Sequence, residues 1–367
     1  MNKFLYNKKI LLYTGYQSKP WCPESFKNEG MGGTETAVYN LSKCFNSLGY
    51  DVVVGGDVIE GNYDGVRYRK NKSLHKDFSR DHFQAIIATS YVHFLKEFSE
   101  FTFEKSFFCV HNTENSGGWW YPHWRGGDLG DEGLSLLESS RLTNVVCLTS
   151  WHSDFFKRTF PSLSDKVRII GNGFDSSMIP ASLKKVPRSF VYSSHSERGL
   201  NLLLSNWGII RKRAPDATLK VCTPQYGLQY FLNTIESFSH LKEMGVSFLG
   251  AIDQRSLYKI IAETDYWLYP TRYEETYCIT ALEMQAMKVC VLASSCSALK
   301  DTVFNRGILV EPQPDDNAFF LQFFNHFSYL ESQNGDKLKM TSRAYEWSQS
   351  QSWHHRAKEW VELIEFN

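Results

Sequence analysis

Short apolar runs alternate with amphipathic stretches along most of the chain. Runs such as residues 10–14 and 289–293 are mostly apolar and bounded by polar or turn-forming residues, which is typical of buried strands. Between the runs, apolar residues recur at the i, i+3 and i+7 spacing of a helix with one buried face, as at Val38, Leu41 and Phe45. This alternation predicts an α/β fold, with mostly parallel sheets and helices on both faces. The predicted strands are 10–14, 52–54, 85–89, 106–110, 145–149, 167–170, 189–193, 219–222, 246–249, 265–269 and 289–293, and the main predicted helices are 34–48, 200–213, 226–244, 254–263 and a short one that ends near 287.

The series of strands and helices occurs twice. A stretch rich in Pro, Ser and Lys, residues 180–188, separates the two series and indicates a linker. At 367 residues the chain is also longer than one hydrophobic core usually supports. We therefore expect a first Rossmann-like domain over residues 1–183 and a second over 184–345. Trp353, Ala357, Trp360 and Leu363 lie at helical spacing and predict a final helix within 346–367.

The composition narrows the function classes. Forty basic and forty acidic residues give a net charge of zero, so there is no overall electrostatic footprint of a nucleic-acid binder, although a local basic patch stays open. The eight cysteines form no C-x-x-C pair, which gives zinc and thioredoxin-like sites no support. Buried thiols favour a reducing compartment, the cytoplasm of a cell or an infected host. No apolar run reaches the length of a transmembrane helix.

The stretch 265–293 is the centre of the second series. It predicts a strand, a loop opened by Pro270, a short helix and a buried strand, and places the loop at the carboxyl edge of a sheet, where ligands of such folds bind. Glu275 and Glu283 are spaced Glu-x7-Glu across the loop and helix. Glu283 falls off the apolar stripe of the helix and is expected to face a cleft.

Three further stretches follow predicted strands. Gly32 and Gly33 open the first long helix, where they either let an anion approach the backbone or only make the turn. His111 follows the strand 106–110, where it either contacts a ligand or caps the loop. Arg198 is the one cation in the loop after the strand 189–193.

An aromatic loop follows His111. Its rings either stack on a sugar or a base, or pin the long loop to the domain. The residues are Trp119, Trp120, Trp124 and Arg125.

Several common site patterns do not occur in the sequence. There is no G-x-G-x-x-G, Walker A, H-E-x-x-H or G-x-S-x-G pattern. There is also no Asp-x-Asp, which removes the metal-chelating pair of one large class of sugar transferases.

Four segments together resemble the family-four glycosyltransferases of GT-B fold, and their order and separation match the family. They are GGTETAVYNLSKCFNSLGYDVVV, GNGFD, YSSHSERGLNLLL with RAPDATLKV, and PTRYEETYCITALEMQAMKVCVLAS. The resemblance implies two Rossmann-like domains that face each other across a cleft, with the final helix crossing back to the N-terminal domain. It also implies a nucleotide-sugar donor, a hydroxylated acceptor and transfer with retention of the anomeric configuration.

The resemblance implies roles for the residues of the second domain. Glu283 would accept hydrogen bonds from the ribose hydroxyls of the donor. Glu275, with the backbone of Thr276, Tyr277 and Cys278, would hold the donor sugar.

The leaving diphosphate would be held without a metal and without a cofactor. The resemblance assigns this task to Arg198 and Ser194, with Gly32, Gly33 and Asn172 as further donor contacts. Growing negative charge would then be met by a cation, backbone N–H groups and helix dipoles. His111 matches the place of a histidine near the reactive face of the sugar, and the resemblance implies a front-face mechanism in which the phosphate takes the acceptor proton.

Two departures from the family concern the diphosphate loop and the sugar pocket. The diphosphate loop usually carries two cations, but Ser193 or Ser194 fills the first place and only Arg198 remains. Glycines are usual where this chain has Thr276 and Cys278, which implies a differently shaped sugar pocket.

A third departure precedes the last strand of the motif. Met287 and Lys288 replace a small residue and a glycine. We expect this change to affect packing more than chemistry.

Two other functions stay open from the sequence. One is a viral-type DNA glycosyltransferase, in which the aromatic loop holds an extruded hydroxylated base and basic residues of 67–72 meet phosphates. The other is a non-catalytic sugar-nucleotide binder, or a GT-B epimerase or phosphorylase. Salt-dependent binding to duplex DNA would favour the first, and intact folding without turnover of any donor would favour the binder.

Overall fold

The structure is a computed structural model that describes residues 8–16, 19–28, 31–113, 131–223 and 238–366. The described chain divides into two compact units. The first contains the residues up to Phe26, Met31–Gly173 and the residues from Trp353 onward. The second contains Phe174–Ser352, together with Lys27 and Asn28.

Each unit is built from alternating strands and helices. The described strands are β1 (Lys9–Tyr13), β2 (Asp51–Gly55), β3 (Gly61–Tyr63), β4 (Val66–Arg69), β5 (His82–Thr89), β6 (Thr102–Cys109), β7 (Asn144–Cys147), β8 (Val167–Ile169), β9 (Ser189–Tyr192), β10 (Thr218–Val221), β11 (Val246–Phe248), β12 (Tyr266–Tyr269), β13 (Cys290–Ser294) and β14 (Ile308–Val310). The described α-helices are α1 (Ser25–Asn28), α2 (Gly33–Ser47), α3 (Asn71–Phe78), α4 (Phe94–Glu97), α5 (Asp131–Glu138), α6 (Ser150–Thr159), α7 (Leu200–Ser205), α8 (Trp207–Arg213), α9 (Phe238–Glu243), α10 (Gln254–Glu263), α11 (Ile279–Ala286), α12 (Leu299–Thr302), α13 (Asp316–Ser332), α14 (Asn334–Ser348) and α15 (Trp353–Phe366).

The sheet of the first unit has the strand order β3-β4-β2-β1-β5-β6-β7-β8. All neighbours are parallel except the β3–β4 hairpin. The central strands are buried on both faces, which explains why they are near-continuous apolar runs instead of alternating ones. The order of the strands reverses between β1 and β5, so this unit has its topological switch point there.

The sheet of the second unit has the order β11-β10-β9-β12-β13-β14, and all its neighbours are parallel. Here the order reverses between β9 and β12, which pair at Phe190 and Tyr266. The loops after these two strands therefore meet at one carboxyl edge. They are the loops that carry Arg198 and Glu275.

Every predicted strand overlaps an observed one, but β3, β4 and β14 were not predicted. The β3–β4 hairpin turns at Asp64 and Gly65, whose φ angles of 50° and 82° suit the two central positions of a type I′ turn. Asp-Gly between two strands is the sequence signal of that turn, so the hairpin could have been found.

The predicted single helix 200–213 is wrong, because Asn206 interrupts it between α7 and α8. The Asn206 amide donates a hydrogen bond to the carbonyl oxygen of Leu202 at 3.0 Å. A side chain that bonds to the backbone in this way competes with helix continuation. Most of the predicted helix 226–244 lies outside the described residues.

The two units divide at Gly173, before the predicted linker. The reason is that Met178, Ile179 and Leu183 pack against the core of the second unit, so the segment that carries them belongs to that unit. At the other end, α14 belongs to the second unit and the first unit resumes at Trp353.

Helix α15 completes the first unit. The Trp360 ring is buried and meets the edge of Phe107, with ring centroids 5.5 Å apart. The Glu365 carboxylate accepts from Lys8 at 2.8 Å and from the Tyr50 hydroxyl at 2.6 Å. The last helix is thus fixed to the first unit at its middle and near its C-terminal end.

The eight cysteines all lie within the described residues, and none forms a disulfide. No helix of the described ranges is long and apolar enough to cross a membrane.

Replacement of Trp360 tests the role of α15. We expect Trp360→Ala to lower the free energy of unfolding of the first unit by about 3–5 kcal/mol, because it removes a buried aromatic side chain. Phe366→Ala is the control, since Phe366 is 79% exposed, and should change stability by less than about 0.5 kcal/mol. Urea denaturation measures both, and equal midpoints for the two variants would show that α15 is not part of this core.

Candidate active site

The loop between β12 and α11 presents Glu275. Pro270 ends the strand, and the Tyr273 amide then donates to the Thr271 hydroxyl at 3.0 Å. The Glu275 amide donates to the carbonyl of Tyr273 at 3.0 Å, and the Glu275 carbonyl accepts from the Ala298 amide at 3.1 Å. Backbone bonds therefore fix the position of Glu275 from both sides.

The Glu275 carboxylate is 5% exposed and strongly bonded. Its Oε1 accepts from Arg198 Nη1 at 3.0 Å and from the Tyr269 hydroxyl at 2.7 Å. Burial, and next the Glu275 charge, raise the pKa of Tyr269 far above its ordinary value, so this phenol stays protonated and donates.

Arg198 is held on two sides. Its guanidinium lies over the Tyr273 ring, 4.0 Å from the centroid, and pairs with Glu275. Burial disfavours the charged form, but the electrostatic interactions with Glu275 and, to a smaller extent, with the Tyr269, Tyr273 and Cys278 side chains together outweigh it and raise the pKa of Arg198. The cation is therefore permanent, partly buried and oriented.

Gly199 explains how Arg198 reaches Glu275. Its φ angle is +99°, and a Cβ atom at this position would lie 2.4 Å from the Pro270 carbonyl oxygen. Only glycine permits this approach, which presses the loop after β9 directly against the end of β12. The switch point of the second sheet is thereby closed into one compact site.

Ser194 joins the same group through Tyr269. Its hydroxyl lies 3.1 Å from the Tyr269 hydroxyl, and its carbonyl accepts from Thr223 Oγ1 at 2.8 Å. Tyr269 was missed in the sequence because it is the last residue of an apolar strand. Its position at the carboxyl end of that strand is the signal that could have identified it.

Glu283 does not face an open cleft as predicted. It is 4% exposed and its Oε1 accepts from Gln254 Nε2 at 2.6 Å and from the Tyr258 hydroxyl at 3.1 Å. The reason is that α11 is buried around most of its circumference, so the position beside the apolar stripe meets α10. Burial raises the pKa of Glu283 to about 7, although the two hydrogen bonds act in the opposite direction.

Two of the positions at which the expected glycine is absent have left-handed backbone conformations. Cys278 precedes α11 with a φ angle of 69°, and Lys288 follows it with a φ angle of 57°. Both are left-handed conformations that glycine adopts without strain. The Lys288 ammonium lies 4.5 Å from the centroid of the Tyr345 ring, a favourable contact that a glycine could not make. Both positions thus have a backbone conformation that suits glycine but carry a side chain. Thr276 and Tyr277 lie directly before Cys278.

In the first unit, Gly32 and Gly33 stand at the N-terminus of α2 and are exposed. Asn172 is buried, and its carbonyl accepts from Arg356 Nε of α15 at 3.1 Å. The predicted acceptor residues Trp119, Trp120, Trp124 and Arg125 lie outside the described residues.

His111 is mostly buried, and its Nε2 lies 3.4 Å from the Cys109 sulfur. The next residue, Asn112, is held by His152, which was not identified from the sequence. His152 Nδ1 accepts from the Leu148 amide at 3.3 Å, so its Nε2 carries the proton and donates to the Asn112 carbonyl at 3.2 Å. Burial lowers the pKa of His152 to about 4, although the Asn112 carbonyl acts in the opposite direction, so this bond persists at neutral pH.

No group of His, Cys, Asp and Glu side chains in the described ranges is arranged to hold a metal ion.

The sequence and the fold are similar to known glycosyltransferases. Residues 188–322 match the family described as Glycosyl transferases group 1. No curated protein sequence matches the chain. The whole chain is, however, similar in fold to solved structures.

Three of these structures cover nearly the whole length of both chains. Sucrose-phosphate synthase from Thermosynechococcus elongatus is 17% identical, with a TM-score of 0.70 over 97% of this chain and 98% of its own. A glycosyltransferase from Rickettsia africae is 14% identical, with a TM-score of 0.73 over 98% of each chain. Anabaena HepE, solved in complex with UDP and glucose, is 15% identical, with a TM-score of 0.68 over 97% of this chain and 99% of its own.

Gly199→Ala tests the close contact at the switch point. We expect the free energy of unfolding of the second unit to fall by about 2 kcal/mol or more, because alanine would combine a strained φ angle with a clash against the backbone. Gly335→Ala is the matched control, since a Cβ there meets no atom within 4 Å and its φ is not left-handed. The control should be neutral or stabilising by up to about 1 kcal/mol in the same urea titration. A Gly199→Ala protein as stable as this control would contradict the contact.

Glu283 should make stability depend on pH. Its pKa is about 7 in the folded protein and 4.5 in the unfolded chain, so between these values the folded state binds a proton that the unfolded state has lost. The free energy of unfolding should therefore fall by about 3 kcal/mol as pH rises from about 4.5 to 7. Glu283→Gln should remove this fall, whereas Glu243→Gln, at a carboxylate with a 76% exposed side chain, should keep it. Identical pH profiles of stability for all three proteins would refute the assignment.

Proposed function

We propose that this chain, a nucleotide-sugar-dependent glycosyltransferase with a group 1 domain and the GT-B fold, transfers the sugar to a hydroxyl acceptor with retention and without a metal. The observation that carries the proposal is the buried Arg198–Glu275–Tyr269 contact at the switch point of the second sheet. The sequence resemblance and the domain match at residues 188–322 cover this same site.

Arg198 is suited to the diphosphate of the donor. A guanidinium has five N–H donors in a planar fork, and the bond to Glu275 uses one of them. The group can therefore hold Glu275 and phosphate oxygens at the same time. Helix α11 begins four residues after Glu275, and its N-terminus contributes a partial positive charge from its free N–H groups.

Glu275 is suited to the hydroxyls of the donor sugar. A carboxylate has about four lone-pair sites, and the two observed bonds both reach Oε1. We assign Thr276, Tyr277 and Cys278 to the same sugar through their backbone, and Glu283 to the ribose hydroxyls. Both observed bonds to Glu283 reach Oε1, so Oε2 is left to accept from a ribose hydroxyl.

The chemical step follows from this placement. The bond between the anomeric carbon and the phosphate oxygen breaks, and the bond to the acceptor oxygen forms on the same face. The acceptor proton goes to the departing phosphate, whose growing charge Arg198 stabilises. The described carboxylates at the switch point are thus binding groups, and the substrate supplies its own base.

The first unit contributes further proposed contacts. The exposed N-terminus of α2 at Gly32 and Gly33 suits an anion, and Asn172 is fixed by Arg356. His111 is proposed to meet the sugar, with His152 fixing the adjacent carbonyl. A UDP-sugar is the first donor to test, because HepE was solved with UDP and glucose.

The DNA alternative gains no support from the basic run 67–72. Arg67 pairs with Asp51 and Arg69 with Asp77, so two of its cations are already compensated. A non-catalytic binder would share the same contacts and differ only in lacking turnover.

Donor turnover tests the proposal. We expect Arg198→Gln and Glu275→Gln to reduce hydrolysis of UDP-glucose, or of the best donor in a panel of UDP-, GDP- and ADP-sugars, by about 10² to 10³. Arg272→Gln is the matched control, because Arg272 is exposed and pairs with Asp316, and should keep the full rate.

The same assay decides the finer points. Proton NMR of the product should show the anomeric configuration of the donor, and EDTA should leave the rate unchanged. An inverted product or a loss of activity in EDTA would overturn retention or metal independence. Donor binding without turnover of any donor would favour the non-catalytic binder.

A further inference from the structure

The switch point of the first sheet lies between β1 and β5, and the site described above does not use it. Ligands of open α/β sheets bind at such points, outside the carboxyl ends of the strands. β1 ends there at Tyr13 and β5 at Thr89. The loops after these strands carry a group of side chains that the sequence did not reveal.

Three tyrosine hydroxyls converge on one carboxylate at this point. Tyr13 donates to Glu97 Oε2 at 2.6 Å, and Tyr91 and Tyr16 donate to Oε1 at 2.6 and 3.1 Å. We call Tyr13, Tyr16, Tyr91 and Glu97 the tyrosine–carboxylate cluster. Its rings meet edge to face, with centroids 5.5 and 5.6 Å from that of Tyr91.

The cluster has a buried base and an exposed top. Tyr13 and Tyr91 are 0% and 4% exposed, whereas Tyr16 is 42% exposed. An exposed aromatic ring that is fixed by its own hydroxyl is a rigid surface against which a flat apolar face can stack.

The charge of Glu97 determines which kind of ligand the cluster favours. Within the described residues no lysine or arginine pairs with Glu97, so its negative charge is met only by phenol protons. Burial, followed by the interactions with Glu97, raises the pKa of Tyr13 and of Tyr91, so these phenols stay protonated. Their protons point to Glu97 and their own oxygens are buried, so the acceptors within reach of a ligand are those of Glu97 and the exposed Tyr16. A ligand must therefore bring hydrogen-bond donors, and an anionic ligand is repelled.

A residue with a strained backbone conformation lies beside the cluster. Ser90, directly before Tyr91, has a φ angle of 55°, and its buried hydroxyl has no partner among the described residues. Its amide donates to the Cys109 carbonyl at 3.0 Å, which ties it to the end of β6, two residues before His111. Strained residues and unpaired buried hydroxyls are rare and concentrate at functional sites.

Gly15 brings the loop after β1 onto the cluster. Its φ angle is +61°, and a Cβ there would lie 2.7 Å from Cγ of Tyr91. The loop that positions Tyr16 is therefore packed as closely as a chain without a side chain allows.

We propose that the tyrosine–carboxylate cluster binds the acceptor and that the acceptor is a carbohydrate. A pyranose ring has apolar C–H faces, which stack on Tyr16, and equatorial hydroxyls, which donate to Glu97 and to the exposed Tyr16 oxygen. A nucleic acid does not fit, because the uncompensated charge of Glu97 repels phosphates. This inference rests on the proposed transfer reaction and names the class of its acceptor.

Saccharide binding tests the inference on the full chain. The probes are methyl glycosides of glucose, galactose, mannose and N-acetylglucosamine, measured by saturation-transfer difference NMR, with cyclohexanol as a ring that lacks the hydroxyl array. At least one glycoside should give saturation transfer and cyclohexanol should not. Tyr16→Ala and Glu97→Gln should weaken binding at least tenfold, and Tyr16→Phe should give an intermediate loss because it keeps the ring.

Tyr329→Phe is the matched control. Tyr329 is also half exposed and donates to a carboxylate, that of Asp336 at 2.6 Å, but it lies on α13 of the second unit. This variant should bind the glycosides as the unchanged protein does. Because Tyr16 is exposed, its variants should also keep the unfolding midpoint of the parent.

Donor hydrolysis, measured on the same variants, separates this inference from the proposed function. Tyr16→Ala should raise the KM for a glycoside acceptor at least tenfold, whereas Tyr329→Phe should keep both that KM and the parental rate of donor hydrolysis. Absence of glycoside binding, or binding that ignores Tyr16 and Glu97, would overturn the acceptor site even where donor turnover is intact. Binding of a DNA oligonucleotide at low salt that Tyr16→Ala abolishes would overturn the carbohydrate assignment.

Discussion

The close approach of Gly199 to the carbonyl of Pro270 is the constraint on which the candidate site depends. It brings two loops that are 77 residues apart in sequence, at Arg198 and Glu275, to within hydrogen-bond distance. The charges then stabilise one another in a place that water reaches only partly, where such a pair is stronger than at the surface. A buried ion pair contributes little net stability, because both ions lose their hydration. The pair is better explained by the proposed donor: a cation already oriented and already out of bulk water would have less to reorganise on binding a diphosphate.

Much of this arrangement was predictable from the sequence. Apolar runs predicted the described strands of both sheets except β3, β4 and β14. The loops after β9 and β12 were placed at one edge because parallel strands share their carboxyl side. What could not be predicted depends on contacts between distant segments. Tyr269 is one residue of a buried strand until Ser194 and Glu275 are seen beside it. Glu283 shows the reverse error, since helical periodicity gives the direction of a side chain but not which helix will cover it.

The same limit applies to the first unit. His111 could be singled out because it follows a strand, whereas His152 acts through a carbonyl 40 residues away that sequence spacing does not reveal. Departures from the family were informative in another way. Cys278 and Lys288 have left-handed φ angles, a conformation that suits glycine, although neither is glycine. The sequence alone shows two absent glycines, whereas the structure shows backbone strain at both positions and a contact between Lys288 and Tyr345 that offsets part of it.

The division of the chain has a consequence for its synthesis. The first unit contains both the earliest described strand and the last helix, α15, while the second is essentially one continuous segment, Phe174–Ser352. A ribosome that releases the chain from its N-terminus therefore completes the second unit before the first. Until α15 emerges, the face of the first unit that receives Trp360 stays uncovered, and nascent chains carry an exposed apolar surface that chaperones recognise. The order of folding is thus the opposite of the order of the sequence.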